Sequence, residues 1–287
     1  MSRFFDRFPA TGYICAHRGA RSIAPENTML ALEKAHLCGA DLWETDVQAT
    51  ADGELVLFHD HSLKRTTDVG VLYAFSARRS VKLADFTLAE LKKLDAGSWF
   101  LRADPFGTVA SGEVCEDDLS TIKNQRIPAL SEALAYCRKH DFSVNLEIKD
   151  QSGTAADRTI VGGVLAQLKT TKTESLVLIS SFNHSYLRQI KQLNPAVATA
   201  ALVEKQHPKN LLNYLRALNV EAYHPDQRIT DPQLIRQLVS TGMRVNIWTV
   251  NEQNSAHAFT AAGATFICTD WPQRMRCIQK TPGLGRD

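Results

Sequence analysis

Four short apolar runs of the sequence carry, at or near their ends, side chains that can bind a cation or transfer a proton. These side chains are His17 and Arg18, Glu44 and Asp46, His59, and Glu147 and Lys149. Residues two positions apart on a β-strand face the same side, so Glu44 projects with Asp46 and Glu147 with Lys149. If the runs are strands of one barrel, the side chains at their carboxyl ends meet in one site.

Glu44, Asp46 and Glu147 would then converge from two strands. Carboxylates held this close repel one another, and burying them unpaired is costly, so a bound cation is the expected solution. An all-oxygen set of ligands favours Mg²⁺ or Ca²⁺, with Mn²⁺ as a further option, over Zn²⁺. The sequence therefore predicts one divalent cation bound by these three residues.

His17 and His59 supply imidazoles that titrate near neutral pH, so one can accept a proton while the other donates one. Arg18 and Lys149 add fixed positive charge. Two imidazoles, a hard cation and two cationic side chains suit the cleavage of a phosphodiester, because negative charge accumulates in its transition state. The sequence leaves open which histidine is the base in which step.

The elements that must position these residues begin with a predicted strand at 13–17 and a helix that starts near Met29. Asn27 or Thr28 is the candidate N-cap of this helix. The alternating run 42–49, the Asp52-Gly53 turn signal and the run 55–58 predict two strands that pair locally as a hairpin, with no crossover helix between them.

From residue 143 onwards strands alternate with helices, which predicts a parallel sheet of the α/β class. The predicted strands are 144–148, 176–180, 199–203, 221–224, 245–250 and 265–268, and the helices between them are 155–169, 184–193, 208–217, 231–241 and 252–261. With the three earlier strands this makes nine, one more than a closed eight-stranded barrel needs. Either the last strand is a cap or one of the predicted strands is wrong.

Residues 60–130 interrupt this alternation. They contain a predicted helix at 88–94 and a long polar stretch at 102–125. A segment of this length exceeds an ordinary connection, so we predict a small insertion after the third strand, over the mouth of the barrel. No linker or change of composition indicates a second domain, and residues 1–287 are expected to form one domain.

The composition argues against several classes of function. The formal net charge is +2 in 287 residues, and the six cysteines, Cys277 among them, form no C-x-x-C pair. The chain thus lacks the basic footprint expected of a protein that binds nucleic acid. No apolar stretch reaches the roughly 18 residues of a membrane span, and residues 1–9 do not resemble a signal peptide. We expect a soluble, cytoplasmic protein with no stable membrane anchor, and the oligomeric state is left open.

A set of short motifs, taken in order, resembles one family of enzymes from about residue 13 to 275. The chain is similar to the glycerophosphodiester phosphodiesterases, which are barrel phosphodiesterases related to phosphatidylinositol phospholipase C. The motifs are His17-Arg18-Gly19, Pro25-Glu26-Asn27-Thr28, Glu44-Thr45-Asp46-Val47, Asp52-Gly53, His59-Asp60, Leu146-Glu147-Ile148-Lys149, Ser181-Phe182, Trp248-Thr249-Val250-Asn251 and Thr269-Asp270-Trp271-Pro272.

This resemblance implies a (β/α)8 TIM barrel that hydrolyses glycerophosphodiesters to sn-glycerol 3-phosphate and an alcohol. It implies attack by the substrate's own glycerol hydroxyl, followed by opening of a cyclic phosphate by water. The residues that match functional positions of the family are His17 and His59 as the acid–base pair, Glu44, Asp46 and Glu147 as metal ligands, Arg18 and Lys149 as phosphate contacts, and Trp248 as a glycerol contact. Phe182 is a further candidate for contact with the substrate, and Asp270 is expected to orient a neighbour.

Two other functions remain open from the sequence. The first is a phospholipase D that acts on lysophospholipids, with the apolar tail held by the segment 101–126 through Leu101, Phe106 and Val109. The second is a binding or sensing protein that keeps the barrel but has no turnover. The presence of all the predicted polar residues argues against this second function.

Overall fold

Nine β-strands form the centre of the protein. The computed structural model describes residues 4–279, and their side chains as far as Met275. The strands are β1 Tyr13–Ala16, β2 Leu42–Ala49, β3 Leu55–Leu57, β4 Ser143–Ile148, β5 Val177–Ser181, β6 Ala198–Val203, β7 Ala222–Pro225, β8 Arg244–Ile247 and β9 Phe266–Thr269.

Eight of these strands are parallel and close into a ring in the order β1-β2-β4-β5-β6-β7-β8-β9. The ring closes because β1 pairs with β2 on one side and with β9 on the other. The predicted TIM barrel is confirmed. We call the end of the ring at which these strands have their carboxyl termini the mouth.

The surplus ninth strand is β3. Among the described strands it pairs only with β2, and it runs antiparallel to it. The suggestion that the last strand is a cap is wrong, because β9 completes the ring. β2 continues past the mouth to Ala49, and the turn at Asp52-Gly53 returns the chain along it, with Val47 opposite Leu57.

Eleven α-helices accompany the described strands. They are α1 Met29–Leu37, α2 Leu88–Leu91, α3 Ser98–Ala103, α4 Glu116–Lys123, α5 Leu130–His140, α6 Ile160–Thr171, α7 His184–Leu193, α8 Leu211–Leu218, α9 Pro232–Ser240, α10 Gln253–Ala261 and α11 Pro272–Gln279. The side chain of Thr28 caps α1 by accepting a hydrogen bond from the amide of Ala31. Asn27 does not cap this helix, since its side chain turns towards β2.

The chain between β3 and α5 carries three short helices of its own, and two apolar clusters hold it in place. One cluster includes Phe58, Leu63 and Phe86, and the other joins Trp99 and Phe100 to residues of α1. The predicted helix at 88–94 is shorter, and α4 occupies part of the predicted polar stretch because it buries Ile122. The organisation of residues 1–287 as one domain stays a prediction.

The interior of the barrel changes character between its two ends. At the end opposite the mouth, Phe4, Phe5 and Phe8 pack against Phe266 and close the ring with aromatic side chains. Nearer the mouth, the interior holds polar side chains, and these form the site described below. No helix among residues 4–279 is both long enough and apolar enough to cross a membrane. The side chain of Cys277 lies outside the described residues.

Candidate active site

A cavity of about 400 Å³ opens at the mouth of the barrel. All nine residues predicted as site residues line it: His17, Arg18, Glu44, Asp46, His59, Glu147, Lys149, Phe182 and Trp248. The structure therefore brings together side chains that are scattered over more than two hundred positions of the sequence. Their chemical roles are taken up under the proposed function.

Glu44, Asp46 and Glu147 form a buried acidic cluster on β2 and β4. One carboxylate oxygen from each lies within 4.8 Å of those of the other two. The cluster forms because Asp46 and Glu147 are paired across the two strands, and Glu44 lies two positions before Asp46. Three buried carboxylates in this arrangement could bind a divalent metal ion, as all their donor atoms are oxygens.

The pKa values of the three carboxyl groups in the acidic cluster shift in different directions. Burial, together with the charges of Asp46 and Glu147, raises the pKa of Glu44 well above its ordinary value. Burial also raises the pKa of Glu147. For Asp46, the charges of Lys149, His59 and Arg18 outweigh the effect of burial and lower the pKa. Bringing all three to the charged form requires positive charge nearby.

Lys149 and Arg18 supply part of that charge. The Lys149 Nζ atom lies 2.7 Å from Glu147 Oε1 and 3.4 Å from Asp46 Oδ1. The Arg18 Nε atom lies 3.6 Å from Asp46 Oδ2, and its backbone amide donates to Glu44 Oε2 at 2.8 Å. Both side chains are only 12–13 % exposed, so their charges are poorly screened by water.

His17 follows β1 directly and forms the first imidazole–carboxylate pair of the site. Its Nδ1 atom donates to Asp270 Oδ1 at 2.7 Å, which leaves Nε2 free to act on a ligand in the cavity. Burial and the charge of Arg18 lower the pKa of His17, so the neutral form is favoured. The expectation that Asp270 orients a neighbour agrees with this contact.

His59 forms a second pair of the same kind. The hairpin formed by β2 and β3 returns the chain to the mouth, where Phe58 donates to the carbonyl of Asp46. The next residue, His59, lines the cavity, and its Nδ1 atom donates to Asp60 Oδ1 at 2.6 Å. An antiparallel strand outside the ring thus delivers a side chain to the same mouth.

Glu26 links the two imidazole–carboxylate pairs. Its carboxylate accepts from Arg21 at 2.9 Å and from Arg65 at 2.7 and 3.0 Å. Arg21 also reaches Asp270 at 3.4 Å, and Arg65 donates to Asp60 at 2.7 Å. Glu26 therefore binds two arginines, and each arginine binds the carboxylate partner of one histidine.

Asn27 positions one of the acidic residues. Its Nδ2 atom donates to Asp46 Oδ2 at 2.8 Å, while its Oδ1 atom accepts from the hydroxyl of Thr45 at 2.7 Å. These bonds fix the direction of the Asp46 carboxylate. The sequence indicates Asn27 or Thr28 as the N-cap of α1, and this contact of Asn27 with Asp46 does not follow from that pattern.

Phe182, which follows β5, and Trp248, which follows β8, form an aromatic wall of the cavity. Their rings meet edge to face with centroids 5.7 Å apart, and the Trp248 indole N–H donates to the carbonyl of His224 at 2.8 Å. Leu202 and Glu204 complete this side. The wall offers an apolar surface with a polar rim.

The segment 101–126 does not contribute to the cavity among its described lining residues. Phe106 packs edge to face on Trp271, and Leu101 and Val109 pack on the cluster of Trp99 and Phe100. The suggestion that these side chains hold an apolar tail therefore has no support in the structure.

The sequence matches the Glycerophosphoryl diester phosphodiesterase family over residues 17–274. The chain belongs to this family. The resemblance predicted from the motifs is confirmed, and so is the assignment as a phosphoric diester hydrolase, which argues against a binding protein without turnover.

Similar proteins cover the length of the chain. A glycerophosphodiester phosphodiesterase of Caldanaerobacter subterraneus subsp. tengcongensis is 35 % identical over 269 residues, with 91 % of this chain and 95 % of that protein covered. One from Bacillus subtilis is 30 % identical, with 92 % and 85 % covered. A phosphodiesterase from Oleispira antarctica, solved in complex with the product sn-glycerol-3-phosphate, superimposes with a TM-score of 0.81 at 28 % identity, covering 98 % and 100 %.

The sequence did not indicate the role in the site of four residues, which are Arg21, Glu26, Asn27 and Arg65. Glu26 and Asn27 lie in the quoted motif Pro25-Glu26-Asn27-Thr28, and that motif was the available signal for them. Nothing in the spacing of Arg21 and Arg65 marks them, because arginines are common on protein surfaces.

Proposed function

We propose that the protein hydrolyses glycerophosphodiesters to sn-glycerol 3-phosphate and an alcohol, by acid–base catalysis with two histidines and with a bound divalent cation. The observation that carries this proposal is the acidic cluster at the mouth, flanked in one cavity by two imidazoles, each hydrogen-bonded to its own carboxylate. The similarity to a phosphodiesterase solved with sn-glycerol-3-phosphate supports the product.

Glu44, Asp46 and Glu147 are proposed to hold the cation, which would be Mg²⁺ or Ca²⁺, with Mn²⁺ as a further option. The fit rests on the set of donors, which are all carboxylate oxygens, and on the raised pKa of Glu44, which is caused by burial and by the charges of Asp46 and Glu147 and which a bound cation would offset. When bound, such a cation supplies positive charge that stabilises the phosphoryl group in the transition state.

His17 is proposed as the base that takes the proton from the attacking hydroxyl. Its neutral form is favoured by burial, and Asp270 holds its Nδ1 proton, so Nε2 is the acceptor. His59, held by Asp60 on the other side of the acidic cluster, is proposed to protonate the departing alcohol. The roles reverse when water opens the cyclic phosphate.

Arg18 and Lys149 are proposed to bind the phosphate oxygens. Both lie beside the acidic cluster and both are held in the charged form by it, since the nearby carboxylates raise their pKa values against the effect of burial. Trp248 and Phe182 are proposed to contact the substrate from the apolar wall of the cavity. The cytoplasmic location stays a prediction.

The proposal is tested by a product assay on glycerophosphocholine and glycerophosphoethanolamine with Mg²⁺, Ca²⁺ or Mn²⁺. We expect glycerol 3-phosphate with at least one cation, none after chelation, and a loss of at least about 100-fold in kcat for His17→Ala. His257→Ala is the matched control, since this histidine lies on α10 and does not line the cavity. No product with any of the three cations would overturn the proposal.

A further inference from the structure

Four polar side chains lie inside the barrel beside and beneath the acidic cluster. They are Asn145 on β4, Ser180 on β5, His224 on β7 and Asn246 on β8, and we call them the polar floor. Asn145 and Asn246 line the cavity. Ser180 lies two positions before Phe182 on the same face, and His224 pairs in register with Leu202, another lining residue.

Each member of the polar floor has a buried polar atom without a hydrogen-bond partner among the residues that the structure describes. These atoms are Asn145 Oδ1, Ser180 Oγ, His224 Nε2 and Asn246 Oδ1. The four residues are at most 2 % exposed. Leaving such an atom unpaired destabilises the folded protein, and TIM barrels normally fill this space with branched apolar side chains. Packing alone therefore does not account for these residues.

The polar floor offers both donors and acceptors and is electrically neutral. Burial lowers the pKa of His224 to about 3. The Nδ2 group of Asn246 lies 3.4 Å from His224 Nδ1, which accepts from it, so the proton of the neutral ring resides on Nε2. Nε2 is then a donor, the two amide oxygens are acceptors, and the hydroxyl of Ser180 can be either. Neutral groups of both kinds match the hydroxyls of an uncharged polyol.

The side chains next to the polar floor on β6 and β7 are small. Ala200 on β6 pairs in register with Ser180 on one strand and with Ala222 on the other. Two alanines in succession around the ring leave the space that larger side chains would otherwise fill. Apart from Glu204, which follows β6, the charged groups that line the cavity lie on the side of β1 to β4.

We propose that the polar floor binds the hydroxyl groups of the glycerol moiety, so that the substrate enters the barrel with its glycerol end first. This inference rests on the proposed function, and it adds the orientation of the substrate and the residues that select a polyol. The phosphate then lies between Arg18, Lys149 and the acidic cluster. The alcohol that leaves points to solvent, and its size is not limited by the barrel.

The test compares two ligands that share a phosphate and a three-carbon chain: sn-glycerol 3-phosphate and propyl phosphate, which lacks the hydroxyls. Their affinities are measured by calorimetry with the cation present. We expect the wild type to prefer glycerol 3-phosphate. Ser180→Ala and Asn246→Leu should each weaken the binding of glycerol 3-phosphate about 3–10-fold, which corresponds to the loss of one or two neutral hydrogen bonds. The affinity for propyl phosphate should not change.

Ser181→Ala is the matched control. Its hydroxyl donates to the carbonyl of Ile148 at 2.7 Å, and as the next residue of β5 it faces away from the cavity. This variant should lose thermal stability and keep the ligand ratio. Ser180→Ala should show the reverse, because its hydroxyl has no hydrogen-bond partner among the described residues. Asn246→Leu also removes the contact of Nδ2 with His224, so for this variant the ligand ratio is the decisive measurement.

An unchanged ligand ratio in both polar-floor variants would overturn the inference, as would an equal loss of affinity for both ligands. A polar floor that holds only water would give the unchanged ratio. If the wild type hydrolyses glycerophosphocholine and the ratio does not change, the inference alone fails. If the ratio changes as expected but no diester is cleaved, the proposed function alone fails.

Discussion

Glu26 is 3 % exposed and accepts hydrogen bonds from three arginines, Arg18, Arg21 and Arg65. Burial would raise the pKa of this carboxyl, but the charges of the arginines lower it well below its ordinary value. Because Arg21 and Arg65 also hold the carboxylates behind His17 and His59, a change at Glu26 reaches both imidazoles. Glu26 is thus a positioning residue, which itself touches no reacting atom.

We predict that Glu26→Gln lowers kcat by about tenfold or more, because both histidines lose their alignment, and also raises KM, because Arg18, a proposed phosphate contact, loses its charged partner. Steady-state kinetics on glycerophosphocholine measure this. Glu113→Gln is the matched control, since Glu113 also accepts from an arginine, Arg274, but lies outside the cavity. Equal kcat values for the two variants would contradict the prediction, and Glu26→Asp should recover part of the loss.

Seven of the nine predicted site residues, the polar ones, could be predicted from the sequence because their types and strand-end positions are local properties. Phe182 and Trp248 were indicated by the family motifs instead. In a parallel barrel the carboxyl ends of the strands meet, whatever the exact bounds of each strand. The contacts of Glu26 could not be predicted in this way. They span 5, 8 and 39 positions, and no periodicity of a strand or helix relates residues at those separations.

The loop between β1 and α1 carries His17 and Arg18 and fixes their positions. Gly19 follows them with a φ of +84°, and a Cβ atom at this position would lie 2.6 Å from the backbone of Ala31 in α1. The loop can pass this close to the helix because glycine has no side chain. Gly53, in the β2–β3 turn, has a similar φ of +82° but nothing within 4 Å of a Cβ atom.

Alanine substitutions at these two glycines separate the effect of backbone strain from the effect of a steric clash. We predict that Gly53→Ala costs about 1 kcal/mol, from the left-handed conformation alone, and leaves kcat near the wild-type value. Gly19→Ala should cost about 2–5 kcal/mol, since overpacking against α1 is added. It should also reduce kcat, because the shifted loop carries His17. Urea denaturation and steady-state kinetics measure both effects, and similar results for the two variants would refute the explanation.

The hairpin formed by β2 and β3 shows how far the elements follow from the sequence. The Asp52-Gly53 signal correctly gives local pairing without a crossover. Its consequence for the barrel, that β3 is excluded from the ring, was missed. Counting apolar runs does not separate a strand of the ring from a strand that pairs on one side only, since both bury their residues.

At the scale of the whole molecule, the two ends of the barrel serve different purposes. The aromatic cluster of Phe4, Phe5, Phe8 and Phe266 closes the lower end with apolar contacts. The mouth gathers buried charge that works against folding, because Glu44 and Glu147 have raised pKa values for which burial is the first cause. The stability of the fold therefore depends on pH and on the protons or cations that neutralise the carboxylates at the mouth.

The sign of this dependence follows from the raised pKa values. Glu44 and Glu147 bind protons more tightly in the folded protein than in the unfolded chain, where the pKa is near 4.5. The metal-free fold therefore loses stability as the pH rises from about 4.5 through the raised values. The carboxyls with lowered pKa values, such as Asp60 and Asp270, contribute stability that is fully present above their unfolded value of 3.8 and is lost as the pH falls below it, so they add no pH dependence above about 4.5.

We predict that saturating Mg²⁺ or Ca²⁺ raises Tm by roughly 5–10 °C at pH 8, for a cation at about 100 times its Kd. The increase should be less than half as large at pH 5, where protons already relieve the repulsion and compete with the cation. Differential scanning calorimetry measures this. Glu44→Gln should raise the metal-free Tm at pH 8 and remove most of the response. An equal increase at both pH values would be inconsistent with a carboxylate site.

The closure of the ring between β1 and β9 has a consequence during synthesis. His17 and Asp270 are 253 positions apart, yet they share one hydrogen bond. During synthesis His17 is added to the chain early, and Asp270 is added only after the eighth parallel strand. A chain that stops after α10 would thus keep the acidic cluster and both histidines but leave the barrel open beside His17. We therefore expect a chain that ends after α10 to be inactive, because His17 would lack the carboxylate that holds it.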